Sequence, residues 1–379
     1  MQTSLPMVEL GRSTLQLFFD DLDMDVKDYY YRVIHCNADW TPSILNDMDY
    51  IDGYVSDRVM DYQNSSRVVV PYTNYRVNIP NDNLRLKKSG NYILKIYENS
   101  DEEDVVLTRR FMVVEPLLKV FATIQRPVMT NKIQTHQELD FWIDHKGVTI
   151  RNPQNEVKVA VLQNGRWDNA ITGLLPVFTK ENQLNYDYQD KIVFPAAKEF
   201  RQFDLSSTRY TGINVKKYEE SKHRWDAFLY EDVSRATKGY VYQPDANGKW
   251  VMQVHNSDVP DIEGDYINTH FSLPMPSDIE GGEVYVFGGL SDWEIKEANK
   301  MTYNIRTHAY EGELVLKQGI YNYMYAFVKR GEQAVNTSLL EGDWFETENS
   351  YTVLVYYRPF GERYDRLVAA QTLNSLRRN

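Results

Sequence analysis

The stretch FDDLDMDVKDYYYRVIHCNADW, residues 19–40, sets four aspartates, Asp20, Asp21, Asp23 and Asp25, ahead of a run of Tyr29, Tyr30, Tyr31, Val33 and Ile34. The run leads through His35 and Cys36 to Asp39 and Trp40. Aromatic and β-branched residues suit a pleated surface, and crowded aspartates favour a turn. The stretch therefore reads as strand, acidic turn, strand.

The same habit extends outward. Residues 13–19 alternate, with Leu15, Leu17 and Phe19 on one face, and comparable segments recur at 68–72, 92–97 and 111–114. Turn residues lie between them, at Asn81, Asp82 and Asn83 and at Ser89, Gly90 and Asn91. These strands predict a first sandwich over residues 1–116, with the polar segment 42–66 as a long loop. A second block, 117–260, holds strand candidates at 120–125, 139–144, 157–162, 213–218 and 225–230. It also holds a hairpin, 239–242 with 250–254, about the turn Asp245, Ala246, Asn247, Gly248. The third block, 261–379, offers 283–287, 312–316, 321–328 and 351–357. The expectation is an all-β chain of tandem immunoglobulin-like, early-set β-sandwich domains set in a row.

Composition agrees. The 379 residues exceed what one core usually serves, and 28 Tyr, 15 Phe and 7 Trp bias the chain toward sheet. A formal charge of -12 repels phosphate backbones and anionic lipid, which excludes nucleic acid as a partner. No apolar run is long enough to cross a bilayer, so the chain is not itself membrane-spanning. No charged-then-apolar leader precedes Leu5 and Pro6, so an exported form is expected to have lost its signal peptide. Cys36 is the single cysteine, which excludes an internal disulfide and a cysteine-based metal site.

Motifs carry less chemistry than they first offer. Asp20, Asp21, Asp23 and Asp25 could converge on calcium, but the glycine and distal glutamate of an EF-hand loop are missing, and a turn explains the cluster more simply. No metal or cofactor is assigned. His35 and Cys36 are neighbours on a strand and face opposite ways, so packing rather than nucleophilic catalysis is expected. Residues 284–293, VYVFGGLSDW, resemble the strand, glycine turn and tryptophan of early-set modules, some of which hold glucans. Trp293, with Tyr321, Tyr323 and Tyr325 behind it, is thus an alternative glycan platform, unless these rings fill a core. Phosphate-loop, dinucleotide, HExxH and GxSxG signatures are absent, so no catalytic residue is assigned. A deep cleft holding two or more carboxylates of raised pKa would signal a hydrolase instead.

Together with residues 19–40, the segments VPYTNY (70–75), IPND (79–82), LKKSGNY (86–92) and LTRRFMVVE (107–115) closely resemble the plug protein family of the Bacteroidota type IX secretion system. So do EGD (341–343), VYYRPF (355–360) and YDRL (364–367), so that the resemblance spans nearly the whole chain. It implies a non-catalytic periplasmic subunit that seats on the inner mouth of a very large outer-membrane translocon β-barrel and keeps it shut. A wide barrel leaks unless covered, and a cover needs stiffness and area. A loop-rich end is expected to dock. Asp20, Asp21, Asp23 and Asp25 are candidate contacts, as are Tyr186 and Tyr188 from the polar segment 183–190.

Overall fold

A computed structural model describes residues 5–376. Tyr29–Cys36 forms as read, burying Tyr29, Tyr31 and Val33 while Tyr30, Arg32 and Ile34 turn outward. It lies in a five-stranded sheet between Gly90–Glu98 and Ser56–Arg58. Leu15–Asp21 belongs to a different sheet, paired with Thr73–Ile79. The acidic turn thus carries the chain from one layer of the sandwich to the other. The strand expected at 68–72 begins instead at Thr73, because the Val69 and Val70 N–H groups donate to the Asp265 carboxylate at 2.7 and 3.0 Å. Within 42–66 the expected loop holds one short helix, Asp47–Tyr50, and three short strands, Ile51–Gly53, Ser56–Arg58 and Asp61–Asn64.

Beyond residue 116 the cores do not follow the chain in simple order. Val157–Gln163 pairs antiparallel with Ser350–Tyr357, which in turn pairs with Arg366–Asn374. One face of this sheet gives Val157, Val159, Val161, Val353 and Val355 to the core that also holds Leu139, Phe141 and Phe194. The other face gives Ala160, Leu162, Leu354 and Tyr356 to a small cluster with Met112 and Leu367. Burial on both faces explains why these strands read as unbroken apolar runs. The segment expected as a third unit, 261–379, is therefore shared between two cores. Between the halves of the middle core sits the third, a ten-stranded sheet built on Tyr266–Pro274, Ala309–Lys317 and Gly319–Lys329.

The expected 239–254 hairpin is not formed. Trp250–Met252 pairs with Gly319–Lys329, while the Tyr240 hydroxyl and the Lys238 carbonyl are held by Glu199 and Lys198. The turn itself is real. Gly248 has φ of +76°, and a Cβ there would lie 2.2 Å from the Trp293 ring.

Each of the three cores touches the other two, a closed arrangement rather than a row. First and middle share the small cluster and an edge-on contact of Trp40 with Trp167 at 5.0 Å. The Tyr356 hydroxyl also donates to Asn91 at 2.9 Å. Middle meets third where the Arg166 guanidinium lies over the rings of Phe287 and Trp293, at 4.9 and 5.2 Å. First and third are joined by the ion pair of Asp20 with Lys317, both side chains 6% exposed.

Candidate functional site

The four aspartates are split by the fold. Asp20 accepts from Lys317 Nζ at 2.5 Å, from the Tyr266 hydroxyl at 2.8 Å and from Asn74 at 2.7 Å, all inside the junction of first and third cores. Asp21 accepts from the Asp23 N–H and the Tyr29 hydroxyl, at 3.0 and 2.7 Å. Burial works to raise the Asp21 carboxyl, but these donors and the Lys27 ammonium hold it below the ordinary aspartate range. Only Asp23 and Asp25 face water. Lys27 stands among them, 2.9 Å from Asp21, 2.5 Å from Asp23 and 3.8 Å from Asp25, so the turn carries its own cation. No group of three or more acidic, histidine or cysteine side chains that could hold a metal occurs among the described residues.

What the turn presents outward is apolar. Leu22, Met24 and Val26 alternate with the two exposed aspartates and are themselves exposed. The sequence shows this alternation, LDMDV, but the aspartates draw the eye first. A second protrusion is Phe360, 96% exposed at the turn between Pro359 and Gly361. Arg363 ties that loop to Asp49 at 2.8 Å, beside exposed Ile44 and Met48. An apolar residue flanked by Pro and Gly is the signal that would have found it.

The other candidates lie elsewhere. Tyr186 is fully buried, stacked on Phe141 at 4.6 Å, and so offers no surface. Tyr188 is half-buried, its hydroxyl donating to the Leu175 carbonyl at 2.5 Å. Tyr321, Tyr323 and Tyr325 project into the third core, Tyr321 stacked on Phe203, Tyr323 edge-on to Phe203 and Phe271, and Tyr325 edge-on to Tyr323, which removes the glycan platform. Trp293 packs edge-on against Phe200 and Phe287 as a junction residue. His35 is buried between Ser43 and the Ser89 carbonyl, and burial pulls its pKa to about 4. Burial pushes the Cys36 thiol up to about 11, so neither is poised for chemistry at neutral pH.

Three carboxylates do converge where the middle and third cores meet. Burial pushes Glu199 up to about 7 and Asp245 up to about 6, and raises Glu348 as well. Each accepts hydrogen bonds, although Glu199 Oε2 is buried without a partner. Glu199 accepts from the Tyr240 hydroxyl at 2.5 Å and the Glu348 N–H at 3.1 Å. Asp245 accepts from the N–H groups of Phe200 and Asn247, at 2.5 and 2.6 Å. Glu348 takes the side-chain amides of Asn247 and Asn374. The adjoining hollow, about 300 Å³, is lined by Asp245, Lys249, Gln202 and Asn322 but not by Glu199. The three acids anchor the 230–250 segment rather than face a substrate.

This anchor is pH-dependent. A carboxyl whose folded pKa is raised binds its proton more readily when folded, so its protonation stabilises below the unfolded value and that contribution is lost as pH rises through the folded value. Stability is expected to fall between about pH 4.5 and 7 by on the order of 3 kcal/mol from Glu199. Urea titrations across this range should show that slope, and Glu199→Gln should flatten it. A slope unchanged in Glu199→Gln would discharge Glu199 from the role.

The family described as type 9 secretion system plug protein, first domain, matches residues 1–115. The crystal structure of a hypothetical protein from Parabacteroides merdae is 36% identical, with 99% of this chain and 94% of that one covered and a TM-score of 0.95. A putative membrane anchored protein from Corynebacterium diphtheriae aligns at 8% identity over 97% of this chain and 89% of that one, with a TM-score of 0.14. No curated protein matches the chain.

Proposed function

Since the chain belongs to the type IX secretion system plug protein family, we propose that it is a non-catalytic periplasmic cover for the inner mouth of the outer-membrane translocon barrel. The observation that carries this reading beyond the family is the closed arrangement of the cores. A cover must resist deformation over an area large enough to seat, and three sandwiches locked pairwise by buried contacts resist bending that a row of separate domains would not. The hydrogen bonds that hold Glu199, Asp245 and Glu348 where the middle and third cores meet support a role without turnover. No described helix is long and apolar enough to cross a membrane.

The seat is formed by protrusions rather than by the whole aspartate cluster. Leu22, Met24 and Val26 supply apolar contact, and Asp23 and Asp25 beside them favour a basic rim. Affinity purification through the barrel tests this. Wild type should be recovered with the barrel, and Leu22→Ser with Met24→Ser and Val26→Ser should reduce recovery by about tenfold or more, since central apolar anchors dominate interfaces. Undiminished recovery would remove this loop from the seat; absence of the wild-type chain would sink the cover reading itself.

A further inference from the structure

Lys119–Gln125 ends its sheet and pairs on one side only, with His136–Asp144, over seven consecutive residues without a shift in register. The Leu139 N–H bonds the Ile192 carbonyl, so odd-numbered residues of His136–Asp144 turn their backbone groups away from this edge and even-numbered ones toward it. Through the register of Phe121 with Trp142 and Thr123 with Asp140, the N–H and C=O groups of Val120, Ala122 and Ile124 point out of the sheet. The last backbone bond on that side, Leu118 N–H to the Val368 carbonyl at 3.2 Å, stops one residue before the strand begins.

Other long sheet ends are protected. Val215–Ser221 carries Lys216, Lys217, Glu219 and Glu220 and a register shift. Leu15–Asp21 terminates in Asp20, paired with Lys317 of the third core, and Asp21, held by Tyr29 and Lys27. Arg366–Asn374 is partly covered by bonds from Glu115, Leu117 and Leu118. Lys119–Gln125 has a single charge, no proline and no bulge, and although Arg366–Asn374 approaches it, no ladder forms between them, which leaves its outward backbone groups free for strand pairing.

Its outer face defines what would pair. Phe121 is 45% exposed and stacks on Trp142 at 4.1 Å and 14°, so its other ring face is open to a neighbour on the next strand. One step along, Asp140 Oδ1 is buried without a hydrogen-bond partner, and the charges nearest it, Asp187 and Glu138, are both negative. We propose that this edge is a docking site for an extended segment of a partner protein, added as a further strand, with an aromatic residue beside Phe121 and a basic residue beside Thr123. The site goes beyond the cover reading and does not depend on it.

A ten-residue peptide library selected on the full chain tests the site without any translocon. Selected peptides should carry an aromatic residue two positions from Lys or Arg. Their affinity should fall at least about tenfold in Ala122→Pro, which removes an outward N–H and leaves the existing ladder intact. Hydrogen exchange at Ala122 and Ile124 should slow when peptide is bound. If Ala122→Pro fails to fold, Asp140→Asn and Phe121→Ser carry the test, each erasing its own preference from the selected sequences. Peptides that bind Ala122→Pro undiminished, a library that yields no binder, or wild-type dimers that Ala122→Pro dissolves would each overturn the proposal.

Discussion

Asp20→Ala should lower the unfolding free energy by about 3–5 kcal/mol, more than any change in the exposed part of the acidic turn. Removing the carboxylate strands the Lys317 ammonium in a site 6% exposed, between the faces of Tyr72 and Tyr266, at 4.1 and 5.8 Å. The Asp261 carbonyl, 2.5 Å from Lys317 Nζ, accepts a hydrogen bond but brings no charge. Burial already pulls Lys317 below the ordinary lysine range, with the Asp20 charge opposing. Without Asp20 the lysine can shed its proton. The deficit should therefore narrow as pH rises toward the ordinary lysine range, because the unfolded chain then binds more protons than the folded variant.

Asp20→Leu combined with Lys317→Met should recover most of the loss, since well-packed apolar replacements of a buried pair are often neutral or better. Guanidinium titrations of both single variants and the pair, at two pH values, measure the coupling. A double variant as unstable as Asp20→Ala would show that the junction is held by Tyr72 and Asp265 rather than by this pair. The result also bears on how the seat is probed. Reversing all four aspartates would break a core junction, so loss of barrel binding in that variant would report unfolding; changes at Asp23, Asp25 and the apolar tip leave the junction intact.

Strands with strong alternation or unbroken β-branched runs were legible: Tyr29–Cys36, Gly90–Glu98, Val157–Gln163 and Gly319–Lys329 all form close to where the sequence predicts. Tyr266–Pro274 was not, although it is central to the largest sheet. Its Asn268, Thr269 and His270 look like loop residues, and they are satisfied in a strand by partners the sequence does not show: the Asp226 carboxylate, 3.1 Å from Asn268 and 2.9 Å from His270, and Glu313, 3.2 Å from Asn268. The return of Ser350–Tyr357 to the middle core was equally hidden, because its pairing with Val157–Gln163 spans nearly two hundred residues. Local pattern fixes which face of a strand is apolar but not which distant strand receives it. The same limit divided the candidate contacts. Tyrosines at 186, 321, 323 and 325 are spaced as well for a surface as for a core, and burial decided for the core.

Glu341→Gln is the second large effect, again about 3–5 kcal/mol, and it explains the EGD motif at residues 341–343. Glu341 is fully buried. It accepts from Arg201 Nε at 2.9 Å and from Arg235 Nε at 2.6 Å, and it takes the Tyr325 N–H at 2.9 Å. Arg201 continues to Asp232 at 2.8 Å, whose other oxygen receives the Tyr323 and Tyr325 hydroxyls. Gly342, at φ of +75°, brings its backbone against the Ala236 carbonyl, where a Cβ would lie 2.8 Å away, and Asp343 accepts the Ala197 N–H at 2.8 Å. The motif thus ties the long 230–250 segment and the approach to the third core into one charged knot. Burial acts to raise the Glu341 carboxyl, but Arg201 and Arg235 prevail and hold it below the ordinary range. Its contribution is therefore present above the unfolded glutamate value and lost as pH falls through the folded one, opposite in sign to that of Glu199. Acid titration of stability in Glu341→Gln should lose this low-pH limb while keeping the decline between about pH 4.5 and 7. A variant that retains wild-type stability, or that keeps the acid limb, would show the arginines satisfied by Asp232 and backbone carbonyls alone.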